Sequence, residues 1–180
     1  KGLDLPRVTL VGVITADTGL NLPDLYADER TFQLLTQVAG RAGRSVLGGK
    51  VVVQTYTPQH PAVQAAAQHD YESFYEHEIA FRREHWYPPL SRIIRLIYRH
   101  PNAARAQQEA TRMHRALTLK IARLGLANVN LIGPAPAFFA RTRGKARWHI
   151  LVRGDDPHAL LRDERLPLGW SVDVDPVSLL

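Results

Sequence analysis

The sequence contains no cysteine, and this absence excludes a disulfide framework and a cysteine-ligated zinc site within its 180 residues. It also lacks any run of about 18 apolar residues, so no membrane-spanning helix is predicted. No basic and then apolar leader opens the sequence. Hydrophobic residues make up 45% of the chain and charged residues 22%, a balance typical of folded domains. The composition favours a soluble, cytoplasmic protein with one ordinary domain or two small ones.

Positive charge is concentrated in the second half of the chain. Residues 91–180 contain fifteen lysines and arginines against seven acidic side chains, a net charge of +8. Residues 59–90 carry a net charge of −3, and residues 1–58 carry +1. A basic excess of this kind permits a polyanionic partner such as nucleic acid. A proline pair at Pro88 and Pro89 separates the two regions and ends any helix before it, so we place a domain boundary there.

The first part of the chain has the pattern of a parallel sheet. A β-branched apolar run at residues 8–15 predicts a buried strand, and residues 29–41 predict a helix. A second strand is expected at residues 50–56. Strand, helix and strand in this order are typical of a βαβ unit in an α/β protein. Residues 62–85 then predict one long helix.

The second half has a different order of elements. Alternating apolar residues predict strands at residues 92–99 and 147–153, and apolar residues spaced by three and four predict a helix over residues 103–124. Residues 129–140 are expected to be extended, and a short helix and a last strand should complete the chain. The order β-α-β-β-α-β is that of a ferredoxin-like α+β domain. Its first and third strands would be central neighbours.

The segment of residues 37–44 carries the most specific pattern. Gln37, Arg41 and Arg44 are spaced so that a helix would place them on one face. Gly40, within the same segment, lowers helix stability, and close approach of another backbone is the usual reason for such a glycine. Two arginines on one edge suit a phosphoryl group, because each guanidinium offers bidentate donors and a fixed charge. The alternative is a surface helix end whose arginines pair with acidic neighbours.

Residues 37–44 resemble motif VI of superfamily 2 helicases. Residues 1–4, the strand after them and residues 16–20 resemble motif V and its continuation. The combination with five further segments resembles the PriA family of replication-restart DNA helicases over nearly the whole chain. Those segments are residues 31–36, 87–89, 133–136, 147–148 and 172–176.

The resemblance implies a domain plan and an activity. Residues 1–57 would be the C-terminal part of the second RecA-like helicase lobe, residues 58–90 a connecting helix, and residues 91–180 a ferredoxin-like domain that binds DNA and partners. The full-length protein would be an ATP-dependent 3′→5′ DNA helicase that recognises stalled or branched forks and starts primosome assembly. It would use ATP and Mg²⁺, with zinc bound upstream of these residues. Expected partners are single-stranded and forked DNA, the single-stranded DNA-binding protein, primosomal proteins and the loader of the replicative helicase. The resemblance also implies a bacterial, cytoplasmic protein that is associated with the nucleoid and not with a membrane.

The same resemblance implies roles for particular residues. Arg41 and Arg44 would be catalytic arginine fingers, and the nucleotide-binding residues would be Gly2, Asp4, Gln37 and Gly40. The sequence lacks both the GxxxxGK[ST] loop that cradles phosphates and the Asp-Glu-x-His motif for Mg²⁺. We therefore expect a fragment that cannot hydrolyse ATP alone. A non-catalytic DNA-binding scaffold of the same family with a degenerate ATPase is the rival interpretation, and a small RNA-binding domain is the third.

The basic residues of the last half predict a DNA-binding face. Arginines alternate along the first and third strands of the predicted sheet, on the face that its helices should leave open, and a hairpin tip at residues 141–145 adds three more basic side chains. Such side chains neutralise phosphates. The alternative is a solvated face or one that docks against helicase lobes. Separately, the spacing of the histidines predicts no metal site. The candidate DNA contacts are Arg95, Arg99, Arg141, Arg143, Lys145, Arg147 and Arg153.

Overall fold

The computed structural model describes residues 8–42, 49–162 and 165–180, and for residues 41 and 42 the backbone alone. Over the described residues, the protein is mixed α/β with two sheets. It divides into two compact units between Ala80 and Phe81. Within the described ranges, no helix is both long enough and apolar enough to cross a membrane.

The first unit contains a two-stranded parallel sheet, as the βαβ pattern predicts. Leu10 pairs with Lys50 and Val13 with Val53, so the two strands run in register. The helices pack Phe32 against Phe74, with stacked rings whose centroids lie 4.3 Å apart. Alanines of the third helix complete this small core. The elements are β1 (Leu10–Val13), α1 (Asp17–Leu20), α2 (Ala27–Ala42), β2 (Lys50–Val53), α3 (Pro61–Gln68) and α4 (Tyr71–His85).

The prediction of one long helix over residues 62–85 is wrong, because α3 and α4 are separate helices. His69 adopts a left-handed conformation with φ of 55°, which ends α3. The Asp70 carboxylate accepts hydrogen bonds from both the backbone N–H and the hydroxyl of Ser73, and so caps α4. These bonds lower the pKa of Asp70. A local side-chain cap therefore replaces continued helix at this point.

The second unit contains a four-stranded antiparallel sheet in the order β4-β5-β3-β6. The first and third strands of this unit, β3 and β5, are central neighbours, as predicted. The long helix begins where the Asn102 side chain accepts the Arg105 N–H and ends at Gly125, whose φ is 64°. The elements are β3 (Arg92–His100), α5 (Ala103–Leu124), β4 (Val129–Thr142), β5 (Lys145–Gly154), α6 (Pro157–Leu161) and β6 (Trp170–Val174).

The helices α5 and α6 pack on one face of the sheet of the second unit. Alternate residues of the central strands supply the sheet side of this core, with Ile94 and Leu96 from β3 and Ile150 and Val152 from β5. The helices supply Met113, Leu117 and Leu160. The alternation in the sequence therefore identifies the core face correctly, and it places Arg95, Arg99, Arg147 and Arg153 on the opposite face.

Candidate nucleic-acid interface

The residues of the nucleotide-binding prediction are only partly within the described chain. Gln37 and Gly40 are exposed on α2, and the backbone of Arg41 belongs to the same helix. A Cβ added at Gly40 would meet no atom within 4 Å, so the close backbone approach expected there is not found among the described residues. Gly2, Asp4 and Arg44, for which nucleotide-binding or catalytic roles are predicted, lie outside the described residues.

The face of the second sheet that carries Arg95, Arg99, Arg147 and Arg153 is here called the arginine face. The pairing of β3 with β5 sets which of its side chains are neighbours. Arg99 of β3 lies directly opposite Arg147 of β5, and the next row on that face pairs Ile97 with His149. The following row places Arg95 between Leu151 and Asp173 of the neighbouring strands. Side chains opposite each other on antiparallel strands have Cβ atoms about 4.5–5.5 Å apart. The register therefore brings cationic side chains together near the Arg99 end of the face.

The expectation that this face is open is wrong over much of its area. Arg95 is only 8% exposed, and Ile93, Ile97 and Leu151 are buried too. The last residues of the chain lie against this face, since Arg95 donates to the backbone oxygen of Leu180 at 3.2 Å. Long-range contacts of this kind leave no period in the sequence. The apolar residues of this face are therefore buried inside the unit.

Two arginines of this face have structural contacts. Arg95 forms an ion pair with Asp173, with Nη2 and Oδ2 separated by 2.7 Å. Arg153 donates to the backbone oxygen of His85, and its guanidinium lies 5.5 Å from the centroid of the Tyr87 ring. Both side chains are thus held against neighbouring segments of the same unit.

Arg99 and Arg147 have no carboxylate partner in the described part of the chain. Arg99 is exposed and donates to the Ser171 hydroxyl at 2.7 Å. Arg147 is half-buried and donates to the backbone oxygen of Phe139 at 3.4 Å, while its buried Nε has no hydrogen-bond partner among those residues. Burial, and then the charges of Arg99 and Arg95, lower the pKa of Arg147. Opposed like charges destabilise a sheet, so this pair is suited to an external anion.

His149 lies beside this arginine pair. Its Nδ1 is buried and has no hydrogen-bond partner within the described ranges. Burial lowers the pKa of His149, and the charges of Arg95 and Arg147 lower it further. The imidazole is therefore held in its neutral form near neutral pH.

The predicted hairpin tip is confirmed. Thr142 pairs with Lys145, which leaves a two-residue turn of Arg143 and Gly144. Both turn residues have positive φ, 49° and 76°, as a hairpin turn that matches the strand twist requires. Arg143 and Lys145 are exposed, and exposed Arg141 donates to the backbone oxygen of Pro101. The hairpin therefore presents a second group of cations.

Phe138 and Phe139 are two exposed aromatic residues of β4, shortly before this hairpin tip, that the sequence-based candidates did not include. Their rings contact each other edge to face, with centroids 5.1 Å apart. A signal for them was available, because adjacent residues of a strand point to opposite faces and cannot both enter one core.

Among the described residues, no group of three or more histidine or acidic side chains could hold a metal ion.

Comparison with known proteins identifies the family. The model of the primosomal protein N C-terminal domain matches residues 83–177. The replication restart protein PriA of Bacillus subtilis is 44% identical over 153 residues, which cover 85% of this chain and 18% of that protein. PriA of Treponema pallidum is 41% identical over 189 residues and PriA of Synechocystis sp. 39% over 186, covering 100% and 99% of this chain.

The chain belongs to the primosomal protein N C-terminal domain family, and the resemblance to the PriA family is confirmed. It spans between 18% and 28% of the length of these three relatives.

Proposed function

We propose that this chain is part of a protein that acts in replication restart by binding stalled or branched forks and starting primosome assembly. The similarity to proteins named replication restart protein PriA supports this role. The observation that carries the proposed DNA binding is the pair of opposed arginines, Arg99 and Arg147, without a carboxylate partner within the described ranges. The phosphates of a DNA backbone would supply the missing anion.

The proposal assigns each unit a place in the longer protein. The strand order β4-β5-β3-β6, with both helices on one face, supports a ferredoxin-like domain for the second unit. The parallel pair of β1 and β2, joined through α2, supports the end of a RecA-like helicase lobe in the first unit. The longer protein would be an ATP-dependent 3′→5′ DNA helicase. In it, Gln37, Gly40, Arg41 and Arg44, with Gly2 and Asp4, would face bound ATP and Mg²⁺.

The candidate DNA contacts divide into two groups. Arg99, Arg147 and the hairpin cations Arg141, Arg143 and Lys145 would bind phosphates. Arg95 and Arg153 would instead maintain the shape of the face, because their guanidiniums are engaged by Asp173 and by the backbone of His85. The further partners that we propose are the single-stranded DNA-binding protein, primosomal proteins and the helicase loader, in the bacterial cytoplasm.

The first experiment measures affinity for a fluorescent forked DNA from about 50 mM to about 300 mM salt. The double variant Arg99→Gln/Arg147→Gln is expected to bind more weakly, and the slope of log affinity against log salt should fall by about 1 to 2, because each lost phosphate contact reduces the slope by about 1. Arg115→Gln/Arg123→Gln is the matched control, since it also removes two positive charges and both arginines are exposed on α5, the helix on the other face of the sheet.

Two results would contradict the assignment. Equal weakening by the control variant would mean that net charge, and not this arginine pair, governs binding. Absence of binding by the wild-type chain at low salt would leave the basic face as a docking surface for other parts of the longer protein. A parallel titration with RNA of equal length tests the RNA-binding alternative.

A further inference from the structure

The edge strand of the second sheet exposes two adjacent phenylalanines. Phe138 is 51% exposed and Phe139 is 56% exposed, although both are large apolar side chains. Their rings meet at an interplanar angle of 75°. In a regular strand these neighbours would point to opposite faces of the sheet, so their contact requires a local irregularity.

That irregularity is a bulge in β4. Pro136 pairs with Trp148, and the next pair is Arg141 with Ala146. Five steps along β4 therefore correspond to two steps along β5, and the extra residues of β4 have no strand partner. A bulge re-aims side chains without ending the strand. Arg147 supports it from the neighbouring strand by donating to the backbone oxygen of Phe139.

Three cationic side chains follow the two phenylalanines along the chain. Arg141, Arg143 and Lys145 follow within seven residues along the same hairpin, all exposed and none in an ion pair with a described residue. An apolar surface bordered by cations fits a ligand that combines flat apolar faces with negative charge. Single-stranded nucleic acid has both, whereas a closed duplex keeps its base faces stacked inside. This charge complementarity favours unpaired bases over an apolar protein surface.

We propose that Phe138 and Phe139 form a stacking platform for unpaired bases of single-stranded DNA, with Arg141, Arg143 and Lys145 neutralising the adjacent phosphates. The proposal rests on the DNA-binding function proposed above and adds a base-contacting element to it. In this proposal the bulge exposes both rings, and the hairpin that follows them carries the cations.

The test separates base contacts from phosphate contacts. Fluorescence anisotropy of the 180-residue chain is measured with a thymidine oligonucleotide of about 15 nucleotides and with an abasic oligonucleotide of equal phosphate number. The variants are Phe138→Leu/Phe139→Leu, which keeps apolar bulk but removes the rings, and Lys145→Gln, which removes one cation. Tyr75→Leu is the control, because Tyr75 is an aromatic residue of α4 with a similar exposure of 52%.

The wild-type chain is expected to bind the thymidine strand at least about fivefold more tightly than the abasic strand, the lower limit for one stacked base. The double Leu variant should reduce this ratio to below about twofold. Lys145→Gln should weaken binding of both strands and keep the ratio, and Tyr75→Leu should change neither. Circular dichroism and Tm confirm that each variant is folded.

Three results would overturn the platform. Salt-dependent binding of both strands with equal affinity would leave the DNA-binding function intact and refute base stacking. An unchanged ratio in the folded double Leu variant would assign base contact to other residues. Failure of the wild-type chain to bind either strand at low salt would refute the proposed DNA-binding function itself.

Discussion

At the scale of single residues, the same side-chain type has two different uses on one sheet face. Arg95 is buried and paired with Asp173, and it also joins the sheet to the backbone of Leu180. Arg99, two rows away on the same face of β3, is exposed, and its guanidinium donates to the Ser171 hydroxyl. Burial and partner, and not residue type, separate a structural arginine from one able to bind phosphate.

The lowered pKa of His149 predicts a pH dependence of stability. Burial and the charges of Arg95 and Arg147 hold this pKa below its ordinary value of 6.5, so the unfolded chain binds a proton at a higher pH than the folded chain. The free energy of unfolding should therefore fall as pH decreases below about 6.5. His149→Gln is expected to reduce this loss.

Urea unfolding of the wild type and of His149→Gln at about pH 7.5 and about pH 5.5 checks the prediction. The groups that face His149 are the two arginines and, through Arg95, Asp173. His77→Gln is the control, because His77 is an exposed histidine of α4 in the first unit. Identical pH dependence in the wild type and His149→Gln would show that His149 does not contribute.

At the scale of elements, local sequence patterns predicted some helices and strands well, whereas other features depend on side-chain caps or on strand pairing. The α5 helix follows the predicted range closely, because its apolar residues repeat at helical spacing and Gly125 ends it. The single helix predicted across residues 62–85 fails at His69 and Asp70, where a side-chain cap outweighs helix periodicity. The bulge in β4 was not predicted, since it appears only when β4 is paired with β5.

Gly154, at the end of β5, should tolerate no side chain. Its φ is 148°, and a Cβ added there would lie 1.9 Å from the Asn128 backbone oxygen. Gly154→Ala is expected to lower the free energy of unfolding by about 2–4 kcal/mol, through backbone strain and overpacking together. Urea unfolding measures the loss.

Gly125 is the matched control, because it also has a positive φ but its Cβ position is open. Gly125→Ala should cost only about 1 kcal/mol, the strain of the left-handed conformation alone. Equal losses in the two variants would mean that the close approach of Asn128 to Gly154 relaxes without cost.

At the scale of the whole molecule, the two units differ in net charge and in the sequence motifs that they carry. The net charge of +8 lies in residues 91–180, within the unit that holds the arginine pair and the hairpin cations. The helical segment of residues 59–90 has a net charge of −3. Electrostatic attraction for a polyanion is thus concentrated in one unit, while the motif VI resemblance lies in the other.

In the full-length protein, the arginine-finger proposal predicts a loss of ATP turnover without a matching loss of DNA affinity. Arg41→Ala or Arg44→Ala should lower the rate of DNA-stimulated ATP hydrolysis by about 10³-fold or more, because such arginines stabilise charge on the transferring phosphate. Rate assays and forked-DNA affinity are measured on the same preparations, with Arg115→Ala as control. A wild-type protein that binds forks but does not hydrolyse ATP would support the non-catalytic scaffold instead.

Local patterns in the sequence predict the α/β class, most element positions and the core face of the second sheet. These follow from local spacing, because residues two, three or four apart share a face whatever lies beyond them. Tertiary contacts, in contrast, bury Arg95, place Arg99 opposite Arg147 and leave Phe138 and Phe139 exposed. Those features depend on strand pairing and on the chain's last residues meeting β3, contacts between residues far apart in sequence that no local period encodes.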